Sequence, residues 1–180
     1  MAKIMLVTGG CRSGKSAYAQ QMAESLPPTR LYVATCPVTD DEMRRRVQEH
    51  QAARRGRNWH TVEEQLDLVG VFRRHTEHNV LLVDCVTLWV NNLMYHAERL
   101  EKEISEADMV EQCGRMLEVA RSLRGTVIFV TNEVGMGVVP DNVPARHYRD
   151  LVGRVNQIIA AAAERVALMS CGIPLLLKGK

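Results

Sequence analysis

The sequence predicts a single α/β domain over residues 1–180, with a mostly parallel central sheet, helices on both faces and a C-terminal hairpin. Short apolar runs alternate with longer segments of helical periodicity, which is typical of a sheet with crossover helices. The runs are apolar throughout, as expected of parallel strands that are buried on both faces. No linker, internal repeat or low-complexity tract divides the chain, and its 180 residues suit one domain.

The first half of the chain contains two predicted strands and two predicted helices. A strand at 4–8 ends in glycines, and a helix at 16–26 is stopped by two prolines. A second strand follows at 31–35. The charged segment 40–55 has a narrow apolar seam at helical spacing, which predicts an exposed helix.

The second half continues the alternation. A strand at 80–84 ends in an acid, and a helix is predicted at 88–96. Ser105 and Asp108 have the spacing of a capping box and open a helix that ends at Gly125. The remaining predictions are a strand at 126–131, a loop at 135–140, a long helix with Pro144 near its start, and a hairpin formed by 166–170 and 175–177.

Composition excludes several classes of protein. The 23 basic and 21 acidic residues give a net charge of +2, which does not imply nucleic acid as a partner. No apolar stretch reaches the ~18 residues of a membrane span. The five cysteines are scattered without a C-x-x-C pair, which argues against a disulfide framework and a structural zinc site. We therefore expect a protein of the reducing cytoplasm.

One segment matches the phosphate-binding pattern G-x-x-x-x-G-K-[ST] at every position. It consists of Gly9, Gly10, Cys11, Arg12, Ser13, Gly14, Lys15 and Ser16. A strand precedes it and a helix follows, so backbone N–H groups and the helix N-terminus would face the phosphates. We expect Lys15 to contact the β- and γ-phosphates and Ser16 to hold Mg²⁺. A plain glycine-rich turn is disfavoured because motif, flanks and position agree.

Two acids follow predicted strands. Asp84 lies where the second acid of such sites holds Mg²⁺, although it could instead cap the next helix. Glu133 follows the strand at 126–131, at the sheet edge where ligands of open α/β sheets bind. It could receive a substrate proton or organise Mg²⁺, and the alternative is capping of the following loop. These residues indicate binding of a nucleoside triphosphate with Mg²⁺.

The six histidines differ in their settings. His75, His78 and His96 are expected to be surface residues without a role. His147 either contacts an anionic substrate or lies solvated in the first turn of the long helix. His50 continues the stripe of Met43 and Val47 at helical spacing, which would direct its side chain towards the protein; the alternative is an exposed histidine on a charged helix.

Over nearly its whole length the chain resembles one small family. The matching segments are LVTGGCRSGKS at 6–16, YVAT at 32–35, DDEMRRRVQEH at 40–50, WHTVEE at 59–64, LVDCVTLWVNNL at 82–93, TNEVGMGVVP at 131–140 and ARHYRDLVGRVNQ at 145–157. The family is the bifunctional adenosylcobinamide kinase / adenosylcobinamide-phosphate guanylyltransferase of cobalamin assembly. It implies a recombinase-like P-loop fold and assembly into homotrimers or homohexamers.

The resemblance also implies two reactions. ATP or GTP phosphorylates adenosylcobinamide, and GTP then transfers GMP to the adenosylcobinamide phosphate through a guanylylated histidine, which falls on His50. Outside the motif at 9–16, the family's nucleotide contacts fall on Ala34, Thr35, Cys36, Gln51, Ala52, Ala53, Arg54, Glu63 and Asp84. Two positions depart from the family pattern: Cys11, where alanine is common, and His60, where arginine is frequent.

Two rival functions are weighed against this one. A plain small-molecule kinase would use residues 9–16 and leave His50 idle. A nucleotide-dependent switch or assembly ATPase would hydrolyse nucleotide in response to DNA or RNA. The arginine-rich stretch 44–57 could suggest such a partner, but it also contains Glu49 and lacks a set of stacking aromatics, so we expect no nucleic acid.

Overall fold

The computed structural model describes residues 1–37, 41, 45, 48, 52 and 54–179. Within these residues the strands are β1 (Lys3–Gly9), β2 (Arg30–Ala34), β3 (Trp59–Glu63), β4 (Val80–Asp84), β5 (Thr126–Val130), β6 (Arg165–Ser170) and β7 (Ile173–Lys178). The helices described in full are α1 (Lys15–Glu24), α2 (Leu68–Arg74), α3 (Val86–Glu98), α4 (Glu106–Ser122) and α5 (Val143–Ala162).

The strands form one sheet in the order β3-β2-β4-β5-β1-β6-β7. Every neighbouring pair is parallel except β6 and β7, which form the predicted C-terminal hairpin. The predicted α/β class with a mostly parallel sheet is therefore confirmed. Because the strands are parallel, the chain leaves β1 to β5 at one shared edge of the sheet.

Helices cover both faces of the sheet, as predicted. One face packs against α1 through Ala19 and Ala23, and the other packs against α2, α3, α4 and α5. The capping box is present: Ser105 accepts from the backbone N–H of Asp108, whose side chain accepts from the backbone N–H of Ser105. The residues that face the core in α4 are the predicted Met109, Cys113, Met116, Leu117 and Ala120.

Two elements are not among the sequence predictions. β3 is an edge strand with no fully buried residue, so its sequence lacks the apolar run that identified the other strands. α2 has 7 residues, too few for helical periodicity to be recognised. The predicted helix at 40–55 lies largely outside the described residues, and those described from 41 to 54 are helical.

The cysteine and membrane predictions concern the whole chain. All five cysteines are free, so the expectation of no disulfide framework is confirmed. In the described ranges, none of the helices combines the length and apolar character needed to cross a membrane.

Candidate functional site

The turn between β1 and α1 has the shape of a phosphate cradle. Gly9 ends β1 with φ at +151°, and a Cβ there would lie 2.5 Å from the carbonyl oxygen of Met169. Gly14 caps α1 in the left-handed region with φ at +90°. A side chain would be strained at both positions, which explains these two glycines of the motif.

Unsatisfied polar groups collect in this turn. The side-chain oxygens of Thr8 and Ser13 are buried without a hydrogen-bond partner in the described part of the chain. The N-terminus of α1 has no side-chain cap, so its first N–H groups are free for an anion. The Lys15 ammonium donates to the carbonyl oxygen of Gly10 at 3.1 Å and is only partly buried, so it lies over the turn. This combination suits a polyphosphate.

The strand register brings the predicted site residues to the same edge of the sheet. Ala34 of β2 pairs with Asp84 of β4 on one side and with Glu63 of β3 on the other. Asp84 pairs in turn with Val130 of β5, which pairs with Val7 of β1. Adjacent strands are about 4.8 Å apart, so Asp84 lies roughly 10 Å along this row from β1.

Tyr32 links Asp84 to the basic segment before β3. Its hydroxyl donates to Oδ2 of Asp84 at 2.9 Å, and the Arg54 guanidinium lies 3.5 Å from the centre of its ring. Burial raises the pKa of Tyr32 well above its ordinary value, so the hydroxyl keeps its proton and stays a donor. Arg54 is 5% exposed, and its Nε and Nη1 make no hydrogen bond among the described residues. Two buried guanidinium donors are thus free for an anion.

Thr35 holds the ends of β2 and β4 together. Its hydroxyl donates to the carbonyl oxygen of Cys85 at 2.8 Å and accepts from the Cys85 N–H at 2.8 Å. Asn92 of α3 donates to the Thr35 carbonyl oxygen at 2.8 Å. Thr35 is fully buried, so its side chain supports the site from within, whereas Ala34 and Cys36 are half-buried at the edge. Burial raises the pKa of Cys85 to about 11, which keeps this thiol protonated beside Asp84.

Glu133 lies directly against the cradle. Its backbone N–H donates to the carbonyl oxygen of Gly9 at 3.1 Å, and its Oε1 accepts from the N–H of Gly135 at 3.0 Å. The predicted loop after β5 is therefore anchored to the turn that would hold phosphate. Both Glu133 and the neighbouring Asn132 are half-buried.

A buried polar network fixes this loop from behind. Thr131 donates to Oδ1 of Asn156 at 2.7 Å, and its hydroxyl lies 3.2 Å from that of Thr87. Thr87 accepts from the backbone N–H of Asn132 at 2.6 Å, and Asn156 donates to the carbonyl oxygen of Asn132 at 3.1 Å. The network holds residue 132, and hence residue 133, at the sheet edge.

Thr131→Val should show how much this network contributes. The exchange preserves shape but removes the donor to Asn156, and leaving a buried acceptor unpaired costs about 1–3 kcal/mol. We expect the free energy of unfolding in urea to fall by that amount. Thr126→Val, at the start of the same strand, is the matched control because the Thr126 hydroxyl has no such role. Equal losses in the two variants would contradict the assignment.

The side-chain oxygens at this end of the sheet are suitable ligands for Mg²⁺. Hydroxyl and carboxylate oxygens are the hard ligands that this ion takes in phosphate sites. Ser16 lies in the first turn of α1, a helix that packs against β4, and Asp84 ends β4. Apart from the bond with Tyr32, Asp84 makes no side-chain hydrogen bond within the described ranges, so its second oxygen is available.

The remaining predicted residues are placed as follows. Glu63 and Ala52 are exposed, while His50, Gln51 and Ala53 lie outside the described residues. His96 is exposed at the end of α3, as predicted. The expectation that His78 is a surface residue is wrong: it is 7% exposed, because the connection after α2 folds its ring against His60 and His75.

Three residues of the site were not among the sequence predictions as site residues. They are Tyr32 and Thr87, which act through one hydroxyl each, and Asn156, which acts through both ends of its side-chain amide. Tyr32 lies in an apolar run, where its residue type predicts core. Asn156 interrupts the apolar face of α5 between Val155 and Ile159, and this interruption is the signal that could have identified it.

The fold has relatives among solved structures of low sequence similarity. The chain superposes on a prototypical ATPase from the type III secretion system of pathogenic bacteria with a TM-score of 0.62 and 12% identity, covering 94% of this chain and 52% of that one. It superposes on the RadB recombinase with a TM-score of 0.52 and 14% identity, covering 92% and 73%. The α/β P-loop fold predicted from the sequence is therefore confirmed.

Sequence relatives are much closer. The chain is 42% identical over 178 residues to the bifunctional adenosylcobalamin biosynthesis protein CobP of Pseudomonas aeruginosa, covering 97% of each. It is 37% identical over 183 residues to the bifunctional adenosylcobalamin biosynthesis protein CobU of Salmonella typhimurium, covering 97% of this chain and 99% of that protein. Residues 5–177 match the family described as cobinamide kinase / cobinamide phosphate guanyltransferase. The phosphate cradle, Glu133 and Asp84 lie at the same edge of the sheet, and the chain belongs to the cobinamide kinase / cobinamide phosphate guanyltransferase family.

Proposed function

We propose that this enzyme phosphorylates adenosylcobinamide with ATP or GTP and then transfers GMP from GTP to the adenosylcobinamide phosphate. The product is adenosylcobinamide-GDP. The observation that carries the proposal is the convergence of the phosphate cradle, Asp84 and Glu133 at one edge of the sheet. Membership of the family supports adenosylcobinamide as the phosphate acceptor. The described residues provide the groups that would bind and transfer phosphate.

In the first reaction, the terminal hydroxyl oxygen of the aminopropanol arm attacks the γ-phosphorus. The bond from that phosphorus to the β,γ-bridging oxygen breaks, and the nucleoside diphosphate leaves. We assign acceptance of the hydroxyl proton to Glu133; the hydrogen bond from its backbone N–H to the carbonyl oxygen of Gly9, beside the cradle, supports this assignment. Lys15 and the N–H groups at the start of α1 stabilise the charge that develops on the phosphate oxygens.

Mg²⁺ would be held by Ser16 and Asp84. When bound there, the ion would supply positive charge to offset that of the phosphate oxygens. Tyr32 orients the Asp84 carboxylate through its 2.9 Å hydrogen bond, so the carboxylate needs little reorganisation when the ion binds.

In the second reaction, a ring nitrogen of His50 attacks the α-phosphorus of GTP. The bond to the α,β-bridging oxygen breaks, and pyrophosphate leaves. A phosphate oxygen of adenosylcobinamide phosphate then attacks the same phosphorus, the phosphorus–nitrogen bond breaks, and the free imidazole is restored. A neutral imidazole nitrogen is a competent nucleophile at phosphorus.

The enzyme is also proposed to assemble into homotrimers or homohexamers without binding nucleic acid. Support for assembly comes from β7, an edge strand on which Ile173, Leu175 and Leu177 are 69%, 58% and 58% exposed. An apolar edge of this kind is unfavourable on a free surface and suits contact with another copy. Five free cysteines support a reducing, cytoplasmic setting.

Product analysis tests the proposed function. We expect purified enzyme to convert adenosylcobinamide, in the presence of Mg²⁺ and GTP, first to adenosylcobinamide phosphate and then to adenosylcobinamide-GDP with release of pyrophosphate. Mass spectrometry detects each product. A plain kinase would stop at the phosphate. A switch or assembly ATPase would leave adenosylcobinamide unchanged and hydrolyse nucleotide faster when DNA or RNA is added, which would overturn the proposal.

A further inference from the structure

A histidine cluster lies at the end of the sheet where the parallel strands begin. The phosphate cradle lies at the other end, where these strands finish. His60 is the second residue of β3, and His75, Glu77 and His78 belong to the connection between α2 and β4. Glu63, which shares the edge with Asp84, is three residues further along β3, about 10 Å away. The cluster is therefore separate from the residues assigned to nucleotide chemistry.

The three imidazole rings pack against one another. Their centroids are separated by 5.3 Å for His60 and His75, 5.5 Å for His60 and His78, and 5.7 Å for His75 and His78. Imidazoles bound tetrahedrally to one zinc ion, with zinc–nitrogen bonds of about 2.0–2.1 Å, have centroids about 5 Å apart. The rings are thus close to the spacing that a single ion would impose.

Glu77 adds a carboxylate between two of these rings. Its Oε1 lies 3.6 Å from Nδ1 of His75 and 3.0 Å from Nδ1 of His78. Ligand atoms of a tetrahedral zinc site are about 3.3 Å apart, from the same bond lengths. One donor atom each from His75, Glu77 and His78 lies within 4.8 Å of the other two, so these three residues form the core of the set.

His78 carries an independent sign of a missing ligand. Its side chain is 8% exposed, and its Nδ1 makes no hydrogen bond in the described part of the chain despite the nearby carboxylate, whose position does not meet hydrogen-bond geometry. A buried polar nitrogen without a partner is costly unless something else satisfies it.

The backbone around the cluster is held in place. Thr29 donates to the carbonyl oxygen of Glu77 at 3.3 Å, and the N–H of Asn79 donates to the carbonyl oxygen of Thr29 at 3.0 Å. These bonds tie the connection to the start of β2. The ligand-bearing segment is therefore preorganised, as a selective metal site requires.

We propose that His75, Glu77 and His78, completed by His60, form a binding site for a borderline divalent transition-metal ion such as Zn²⁺. Three imidazole nitrogens and one carboxylate oxygen suit zinc better than Mg²⁺ or Ca²⁺, which take oxygen ligands. The scattered cysteines argue against a cysteine-based zinc site, and this site uses none. A bound ion would join the edge strand β3 to the connection before β4 and stabilise that edge.

Zinc titration of the metal-free full-length protein tests the proposal. In buffer with excess Mg²⁺ and no nucleotide, we expect one Zn²⁺ bound per chain and a higher midpoint of thermal unfolding. Co²⁺ in place of Zn²⁺ should give the absorption of a four-coordinate ion without a thiolate charge-transfer band, which separates this site from the exposed Cys11 and Cys171.

The variant His75→Ala/Glu77→Gln should weaken Zn²⁺ binding more than about 100-fold, since loss of even an outer partner of a metal ligand costs 10–100-fold. Both positions are less buried than His78, so the variant should fold, and circular dichroism checks that it does. His96→Ala is the matched control. The proposal is overturned if wild type binds no stoichiometric Zn²⁺, if the variant binds it equally well, or if the Co²⁺ spectrum shows thiolate ligation.

Discussion

Lys15→Ala is expected to lower kcat/KM for phosphorylation of adenosylcobinamide by about 10²–10³-fold, the usual cost of removing one preorganised donor from a transition state. The ammonium lies over the cradle, with its one described hydrogen bond to the Gly10 carbonyl oxygen at 3.1 Å. Because Lys15 makes no hydrogen bond to a buried side chain among the described residues, the fold should be unaffected. Initial rates with γ-labelled ATP and with GTP measure the effect.

The matched control is Lys3→Ala, which removes an exposed lysine at the other end of β1. Its rates should equal those of wild type within about twofold, since a surface lysine far from the cradle has no role in phosphate transfer. If Lys15→Ala retains more than a third of wild-type kcat/KM, the cradle is not where the transferred phosphate is held.

Among the parallel strands, those that could be predicted from the sequence are the largely buried ones. β4 and β5 each contain four consecutive apolar residues, and their predicted and observed bounds agree within one residue. β3 could not be predicted in this way because Trp59, His60 and Thr61 mix apolar and polar character along an exposed edge. The apolar pattern of a strand reflects how deeply the strand is buried. An edge strand such as β3 instead forms because it pairs with the adjacent strand, which its own sequence does not show.

Site residues whose role follows from the local sequence could be predicted, and those whose role depends on contacts between distant segments could not. The cradle could be predicted because a backbone that must face phosphate requires glycines at fixed spacing, and Gly9 and Gly14 have the positive φ that explains them. Tyr32 could not be predicted, because its role comes from the pairing of β2 with β4, which places its hydroxyl near Asp84. The His60, His75 and His78 cluster depends likewise on contacts between segments distant in sequence.

His50→Asn should abolish guanylyl transfer while leaving phosphorylation intact. Asparagine keeps a polar side chain of similar reach but offers no nucleophilic nitrogen, and loss of a nucleophile lowers turnover by about 10⁴-fold or more. Wild type incubated with α-labelled GTP and Mg²⁺ should gain a covalent label that is labile in acid and stable in base, as a phosphorus–nitrogen bond is. The variant should gain none, although its kinase rate stays within about threefold of wild type.

His96→Asn controls for the loss of an imidazole, because His96 is exposed at the end of α3 and takes part in neither reaction. It should label as wild type does. A label that survives in His50→Asn would assign the attack to another group, and peptide mapping would identify it, with His147 the first to compare because it follows Arg146 near the start of α5. Loss of both labelling and phosphorylation in His50→Asn, with the fold intact, would mean that position 50 serves the shared nucleotide site. Separate loss of guanylyl transfer is the outcome that assigns one imidazole to the α-phosphorus and the cradle to the γ-phosphorus.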